Sequence, residues 1–120
     1  MPEAPRRRPD DSVVLLALSG HLKARPRAVF EALDARVRPE DTSRSLYTAD
    51  PNAFLIITQG GWWYRGEYRV VPDERGSNVE HTLLNIARAR RMGRFTGRKV
   101  IEAAPAEFER MLRQLRLSLE

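Results

Sequence analysis

The side chains best suited to chemistry are four polar groups in the central part of the chain, Tyr64, Tyr68, His81 and Asn85. Each pair is four residues apart within a β-rich run, so its two members point to the same side of a strand. Hydroxyl, imidazole and carboxamide groups among apolar walls can orient a bound small molecule. The same groups could instead hydrogen-bond one another or the backbone in a filled core. The sequence leaves both interpretations open.

Catalysis and metal binding have little support in the sequence. There is no cysteine, and the two histidines, His21 and His81, lie in no metal-ligand motif. His81 as a general base would need a neighbour that fixes its tautomer, and no triad is recognisable. We therefore expect no metal, no cofactor and no catalytic residue, and a binding protein is favoured over an enzyme. A cyclase or dehydratase that uses Tyr or His acid-base chemistry is an alternative.

The first of two predicted hairpins carries both tyrosines. Residues 53–59 and 62–71 are β-rich and flank a Gly-Gly pair, which can supply the positive φ angles of a two-residue turn. In this register residue 59 faces Trp62, and Ile57 therefore lies opposite Tyr64.

The second predicted hairpin closes through the loop PDERGS and brings in the histidine. With residue 73 opposite residue 76, Tyr68 faces His81, and Arg69 faces Glu80 as an opposite-charge pair. The two registers give one shared, mostly apolar face. This face comprises Leu55, Ile57, Trp62, Tyr64, Tyr68, Val70, Val79, His81 and Leu83.

Two helices and two further strands complete the prediction. Residues 13–22 are nearly all β-prone and predict the first strand. Residues 26–36 predict a helix that begins with Pro26, and a short strand is expected around residues 45–48. The C-terminal helix has a single apolar stripe, and it either begins at Pro105 or starts near Met92 and is kinked at Pro105. We expect this stripe to cover the sheet face through Phe108, Met111, Leu112 and Leu115.

Length and composition predict one domain. With 120 residues, 42% of them hydrophobic, the chain is long enough for one core. We expect residues 1–11 to be a flexible tail and residues 12–120 to be the domain. No segment is long and apolar enough to span a membrane, and the absence of cysteine fits the cytoplasm.

An arginine-rich run offers a different function. The net charge of +5 comes from 19 Arg and 2 Lys against 16 acidic residues. Interleaved aromatic and basic residues can grip phosphates, so the alternative is a basic module that binds RNA, the ribosome, a protein partner or an anionic surface. Its residues would be Arg88, Arg90, Arg91, Arg94, Arg98 and Lys99. A solvated helix face is the simpler interpretation.

Three segments resemble the START-like (SRPBCC) superfamily, which includes polyketide cyclase/dehydrase and lipid-transfer proteins. HLKARPRAVFEAL at 21–33 looks like its strand-to-helix junction, GEYRVVPDERGSNVEHTL at 66–83 like its Gly-x-Tyr strand and hairpin, and APAEFERMLRQLRLSLE at 104–120 like the end of its closing helix. The resemblance covers somewhat under half of the chain. The family usually has more strands than residues 35–53 leave room for here.

The resemblance implies an α+β fold of the helix-grip type, in which a curved antiparallel sheet, abbreviated here, wraps around a long C-terminal helix. It also implies a cleft between sheet and helix that binds a small hydrophobic molecule of lipid or polyketide type. The residues expected to contact this ligand are Tyr64, Tyr68, His81, Asn85, Trp62, Leu83, Phe108 and Met111.

Overall fold

This computed structural model of the chain describes residues 2–40, 45–61, 63–87 and 90–120, and of residues 90–97 it describes the backbone alone. In chain order the elements are β1 (Val13–Leu22), α1 (Pro26–Val37), β2 (Ser45–Asp50), β3 (Leu55–Gly60), β4 (Tyr64–Asp73), β5 (Gly76–Asn85) and α2 (Arg90–Leu119). The five strands form one curved, open antiparallel sheet in the order β1-β5-β4-β3-β2. The predicted α+β class is thus confirmed, together with the C-terminal helix.

The β4–β5 hairpin has the predicted register. Tyr64 pairs with Asn85, Tyr68 with His81, and Asp73 with Gly76 across the turn. Gly76 has a φ of +136°, and a Cβ there would collide with the backbone of Leu22 and Lys23. Only glycine fits this position without strain.

The predicted register of the β3–β4 hairpin is wrong. Gly60 pairs with Tyr64 and Ile56 with Tyr68, a shift of three residues from the pairing that a two-residue Gly-Gly turn would give. An odd shift exchanges the two faces of a strand. Ile56 therefore shares the face of Tyr68, whereas Leu55 and Ile57 lie on the opposite face.

Both helices cover the face that carries Tyr68 and His81. The core joins Val29, Phe30 and Leu33 of α1 to Val70 and Val79 of the sheet and to Phe108, Met111, Leu112 and Leu115 of α2. The predicted stripe of α2 is confirmed as the buried side of that helix, which continues through Pro105. Helix α1 shares the cover, so the C-terminal helix is not alone in this role.

The N-terminal arm, defined here as residues 2–8, lies across the opposite face of the sheet. The Thr48 hydroxyl donates a hydrogen bond to the Ala4 carbonyl at 2.6 Å. Arg65, whose side chain is fully buried, donates to the carbonyls of Pro5 at 2.8 Å and Arg6 at 3.1 Å. The segment expected as a tail thus makes specific contacts with the domain.

Candidate ligand cleft

A cleft opens between four parts of the fold. They are the C-terminal end of α1, the first half of β4, the second half of β5 and the middle of α2. Its volume is about 350 Å³, which is near the lower end of the range for ligand pockets. The residues around it are Arg36, Val37, Tyr64, Tyr68, His81, Leu83, Val100, Ala104, Glu107, Phe108, Arg110 and Met111. A second hollow, of about 290 Å³, shares Val37, Tyr64 and Tyr68 with it.

His81 is held between two aromatic rings at the inner wall of the cleft. Its ring stacks on Tyr68 with centroids 4.0 Å apart and an interplanar angle of 11°, and Phe108 of α2 lies 5.8 Å away at 21°. Only 6% of the residue is exposed. Parallel ring packing of this kind fixes the plane of the imidazole.

The tautomer of His81 follows from its hydrogen bond. Nδ1 lies 3.1 Å from the backbone carbonyl oxygen of Glu67, which can only accept, so Nδ1 carries the proton. Burial lowers the pKa of His81, although the bond to Glu67 opposes this. The ring is therefore neutral at physiological pH, and Nε2 presents a lone pair.

Nε2 of His81 is available to a ligand. Within the described part of the chain it makes no hydrogen bond, and no described side-chain nitrogen or oxygen is both fully buried and unpaired. Nε2 therefore keeps contact with the open space that His81 borders. A buried acceptor in such a place favours a molecule that can donate a hydrogen bond to it.

Tyr64 lies over Gly66, which is two residues further along the same face of β4. A Cβ at Gly66 would stand 2.5 Å from the Tyr64 hydroxyl oxygen and 3.0 Å from Oγ1 of Thr58. The missing side chain thus makes room for the phenol beside the Thr58 hydroxyl. Burial raises the pKa of Tyr64, so the hydroxyl stays protonated.

The Tyr68 hydroxyl belongs to the same polar region of the wall. Burial raises the pKa of Tyr68 well above its usual value, and neighbouring Tyr64 and Glu107 raise it further. Both phenols are therefore neutral groups that can donate or accept a hydrogen bond. They can hydrogen-bond a polar substituent of a ligand, whether that substituent is a donor or an acceptor.

Charged side chains surround the mouth of the cleft. Arg36 at the end of α1 and Glu107 and Arg110 on α2 are all exposed, in contrast to buried His81. Among the side chains that the structure describes, two cations and one anion give this rim a net charge of +1. Exposed Arg98 and Lys99 precede the rim residue Val100 on the same helix.

A cluster at the end of α1 positions the rim on the Arg36 side. The Tyr47 hydroxyl of β2 donates to Oδ1 of Asp34 at 2.5 Å, and Nη2 of Arg38 lies 2.9 Å and 3.0 Å from the two carboxylate oxygens of Asp34. The Arg38 guanidinium also lies 4.7 Å from the centre of the Tyr47 ring. These contacts tie the last turn of α1, which contains Arg36 and Val37, to the sheet.

The structure brings six of the eight expected ligand contacts to one cleft: Tyr64, Tyr68, His81, Leu83, Phe108 and Met111. Asn85 is buried beyond it and accepts a hydrogen bond from the Ala87 backbone N–H at 2.8 Å. Trp62 lies outside the described residues. The sequence prediction missed Arg36, Val37, Glu107 and Arg110. The two α2 residues adjoin Phe108 and Met111 in sequence, which was a usable signal.

The arginine-rich run is only partly described. Arg88 lies outside the described residues, and Arg90, Arg91 and Arg94 belong to α2 by their backbone. Arg98 is exposed and pairs with Glu102 at 3.1 Å, and Lys99 is exposed beside it.

Membrane-spanning segments and metal clusters are not found in the described residues. No described helix is long and apolar enough to cross a bilayer. The described histidine and acidic side chains form no cluster of three or more that could hold a metal ion.

Comparisons with known proteins do not assign the chain to a family. The sequence matches no known family model. Searches of curated proteins and of solved structures also give no significant match.

Proposed function

We propose that the protein binds a small, mostly apolar molecule in the cleft between the sheet and α2, as an abbreviated helix-grip domain of START-like type. The observation that carries the proposal is Nε2 of His81, an acceptor on a 94% buried residue that faces open space among aromatic walls. A filled core would place a donor against this atom.

The order of elements supports the START-like proposal. A strand, a helix, an antiparallel meander and a long closing helix follow one another, and the cleft lies between the meander and that closing helix. Lipids and polyketide-like molecules suit a cavity of about 350 Å³ only if they are small or enter it in part.

Filling the cleft tests the proposal. Ala104 is buried in its wall and Ala103 is exposed next to it on α2. Ala104→Phe should abolish binding of a fluorescent apolar probe such as 1-anilinonaphthalene-8-sulfonate, because the new ring occupies the cavity. Ala103→Phe adds the same ring outside it and should leave the dissociation constant within about twofold of the parent value, since surface changes have small effects.

The two variants also define the contrary result. Equal probe affinity for both variants and the parent, with both variants folded by circular dichroism, would show that the probe binds elsewhere. No binding by the parent of this probe or of a panel of lipids and aromatic compounds would contradict the proposal itself. That result would favour the alternative function, in which residues 88–99 bind a polyanion.

A further inference from the structure

The inner end of the cleft has a fixed hydrogen-bond polarity. His81 Nδ1–H is committed to the Glu67 carbonyl, so the neutral ring can only accept at Nε2. The tyrosine hydroxyls nearby can do either. A ligand group that reaches His81 must therefore donate, because an ether or carbonyl oxygen would set two lone pairs against each other.

The walls between the inner end and the mouth suit rings. Tyr64, Tyr68 and Phe108 present aromatic surface, and Leu83 and Met111 complete the lining. The rings of Tyr68, His81 and Phe108 lie within 21° of parallel in successive pairs. A cavity of about 350 Å³ accommodates a fused pair of rings with small substituents.

The outer end of the cleft has a cationic surplus. Arg36 lies on α1 and Arg110 on α2, both exposed where these helices border the cleft, and Glu107 neutralises only one of them. An anionic group that reaches this rim gains from both guanidinium groups and can accept paired hydrogen bonds from either.

From these three features, and on the basis of the proposed function, we propose that the cleft selects hydroxy-aryl carboxylates: ring compounds with a hydroxyl donor at the inner end and a carboxylate at the outer end. The donor meets Nε2 of His81, the rings lie against Tyr64, Leu83 and Met111, and the carboxylate meets Arg36 and Arg110. The ligand thus spans the cleft from its buried end to solvent.

Three matched probes test both ends of this assignment by isothermal titration calorimetry. They are 6-hydroxy-2-naphthoate, 6-methoxy-2-naphthoate, which lacks the donor, and 6-hydroxy-2-naphthamide, which lacks the charge. The methoxy compound should bind about fivefold to tenfold more weakly than the hydroxy compound, the range expected for one net hydrogen bond. The amide should bind about threefold more weakly, and this difference should shrink in high salt because the rim is exposed.

Variants assign each effect to its residue. His81→Phe keeps an aromatic ring between Tyr68 and Phe108 but removes the acceptor, so the hydroxy and methoxy probes should then bind equally. The methoxy probe is the internal control for folding and cleft shape, and its affinity should not fall, because the variant removes the lone pair that opposes its ether oxygen. Arg36→Gln with Arg110→Gln should equalise the naphthoate and the naphthamide, whereas Glu107→Gln should tighten naphthoate binding.

The outcomes separate this inference from the proposed function. If all three probes bind the parent protein with the same affinity, the proposed binding function stands and the ligand class is wrong. If none of the three probes binds but 1-anilinonaphthalene-8-sulfonate does, the ligand class alone is contradicted; if that probe and the panel of lipids and aromatic compounds also fail to bind, both are contradicted. Loss of the hydroxyl preference in His81→Phe, with the carboxylate preference retained, supports the assignment of the inner end.

Discussion

At Gly20, β1 and α2 approach each other closely. A Cβ at this position would overlap Leu112, so the absence of a side chain allows α2 to pack closely against β1. Leu112 itself is fully buried. Glycine is weakly strand-forming, and close approach of another element is a common reason for its presence in a strand.

Leu112→Ala should therefore lower the free energy of unfolding by about 2 to 5 kcal/mol, through lost burial and the cavity that remains. The matched control is Leu117→Ala on the same helix, where the leucine is 82% exposed, and a change within about 0.5 kcal/mol is expected. Urea unfolding of both variants measures the difference. A cost below about 0.5 kcal/mol for Leu112→Ala would contradict the packing of α2 on β1.

Because of His81, the free energy of unfolding should decrease as the pH falls below the usual pKa of histidine. Because burial lowers its pKa in the folded state below the usual 6.5, the unfolded chain takes up a proton first as the pH falls. The stabilising contribution is present above pH 6.5 and is lost as the pH falls toward the lowered folded-state value, with a slope of at most about 1.4 kcal/mol per pH unit.

His81→Phe should remove this part of the pH dependence. The measurement is the midpoint of urea unfolding between pH 7.5 and pH 5, compared between parent and variant so that all other groups cancel. Parallel curves for the two proteins would show that His81 titrates alike in both states and that it is not buried as a neutral ring.

At the scale of elements, one hairpin was predictable and the other was not. In the β4–β5 hairpin, the alternation of buried and exposed residues and a two-residue loop agree on one register. In β3, by contrast, Ile56 and Ile57 are both fully buried. A strand covered on both faces has no alternation to show which side faces the helices.

The cover on the second face of β3 is what the sequence did not reveal. The N-terminal arm lies there, and its arginines and prolines resemble the composition of a tail. Trp63, which is 7% exposed, occupies the loop between β3 and β4, and its carbonyl accepts the Ile86 N–H at 2.8 Å. The connection between β3 and β4 has three residues and not two. The pairing therefore shifts by three positions, and each residue of β3 lies on the face opposite to the predicted one.

The arm is joined to the sheet through a shared carboxylate. Nε of Arg65 donates to Glu67 at 3.0 Å, and Nη2 of Arg8 donates to the same carboxylate at 2.7 Å. Burial acts to raise the pKa of Glu67, but the hydrogen bonds from Arg8 and Arg65 outweigh it and lower the pKa. Glu67 is therefore ionised throughout the neutral range.

Removing the buried cation should loosen the arm. Arg65→Met removes the donor to Gln59 and to two arm carbonyls and one of the two arginines that donate to Glu67, and we expect a loss of more than about 2 kcal/mol in the free energy of unfolding. Trypsin should also cleave the arm faster. Arg69→Met changes an exposed residue on the same strand and face and should have little effect; equal effects of the two substitutions would contradict the role of Arg65.

For the whole molecule, the fold class and the face that carries the cleft follow from the sequence, but the shape of the cleft does not. The stripe of α2 and the β4–β5 register suffice to bring Tyr68, His81 and Phe108 together. The mouth depends on the position of the last turn of α1, which is held against the sheet by the contact of Asp34 with Tyr47, residues 13 positions apart in sequence. Pairings of this kind leave no periodic signal.

The central claim is that a ligand sits between the sheet and α2, and amide chemical-shift mapping by NMR tests it most directly. On titration with 6-hydroxy-2-naphthoate, the largest shifts should fall on the backbone amides of residues that line the cleft from three elements: Tyr64, Tyr68, His81, Leu83, Ala104, Glu107, Phe108 and Met111. Amides of the N-terminal arm and of Arg69 and Glu80, on the other side of the sheet, should not move. Shifts confined to that opposite face, or to Arg98 and Lys99, would contradict the account.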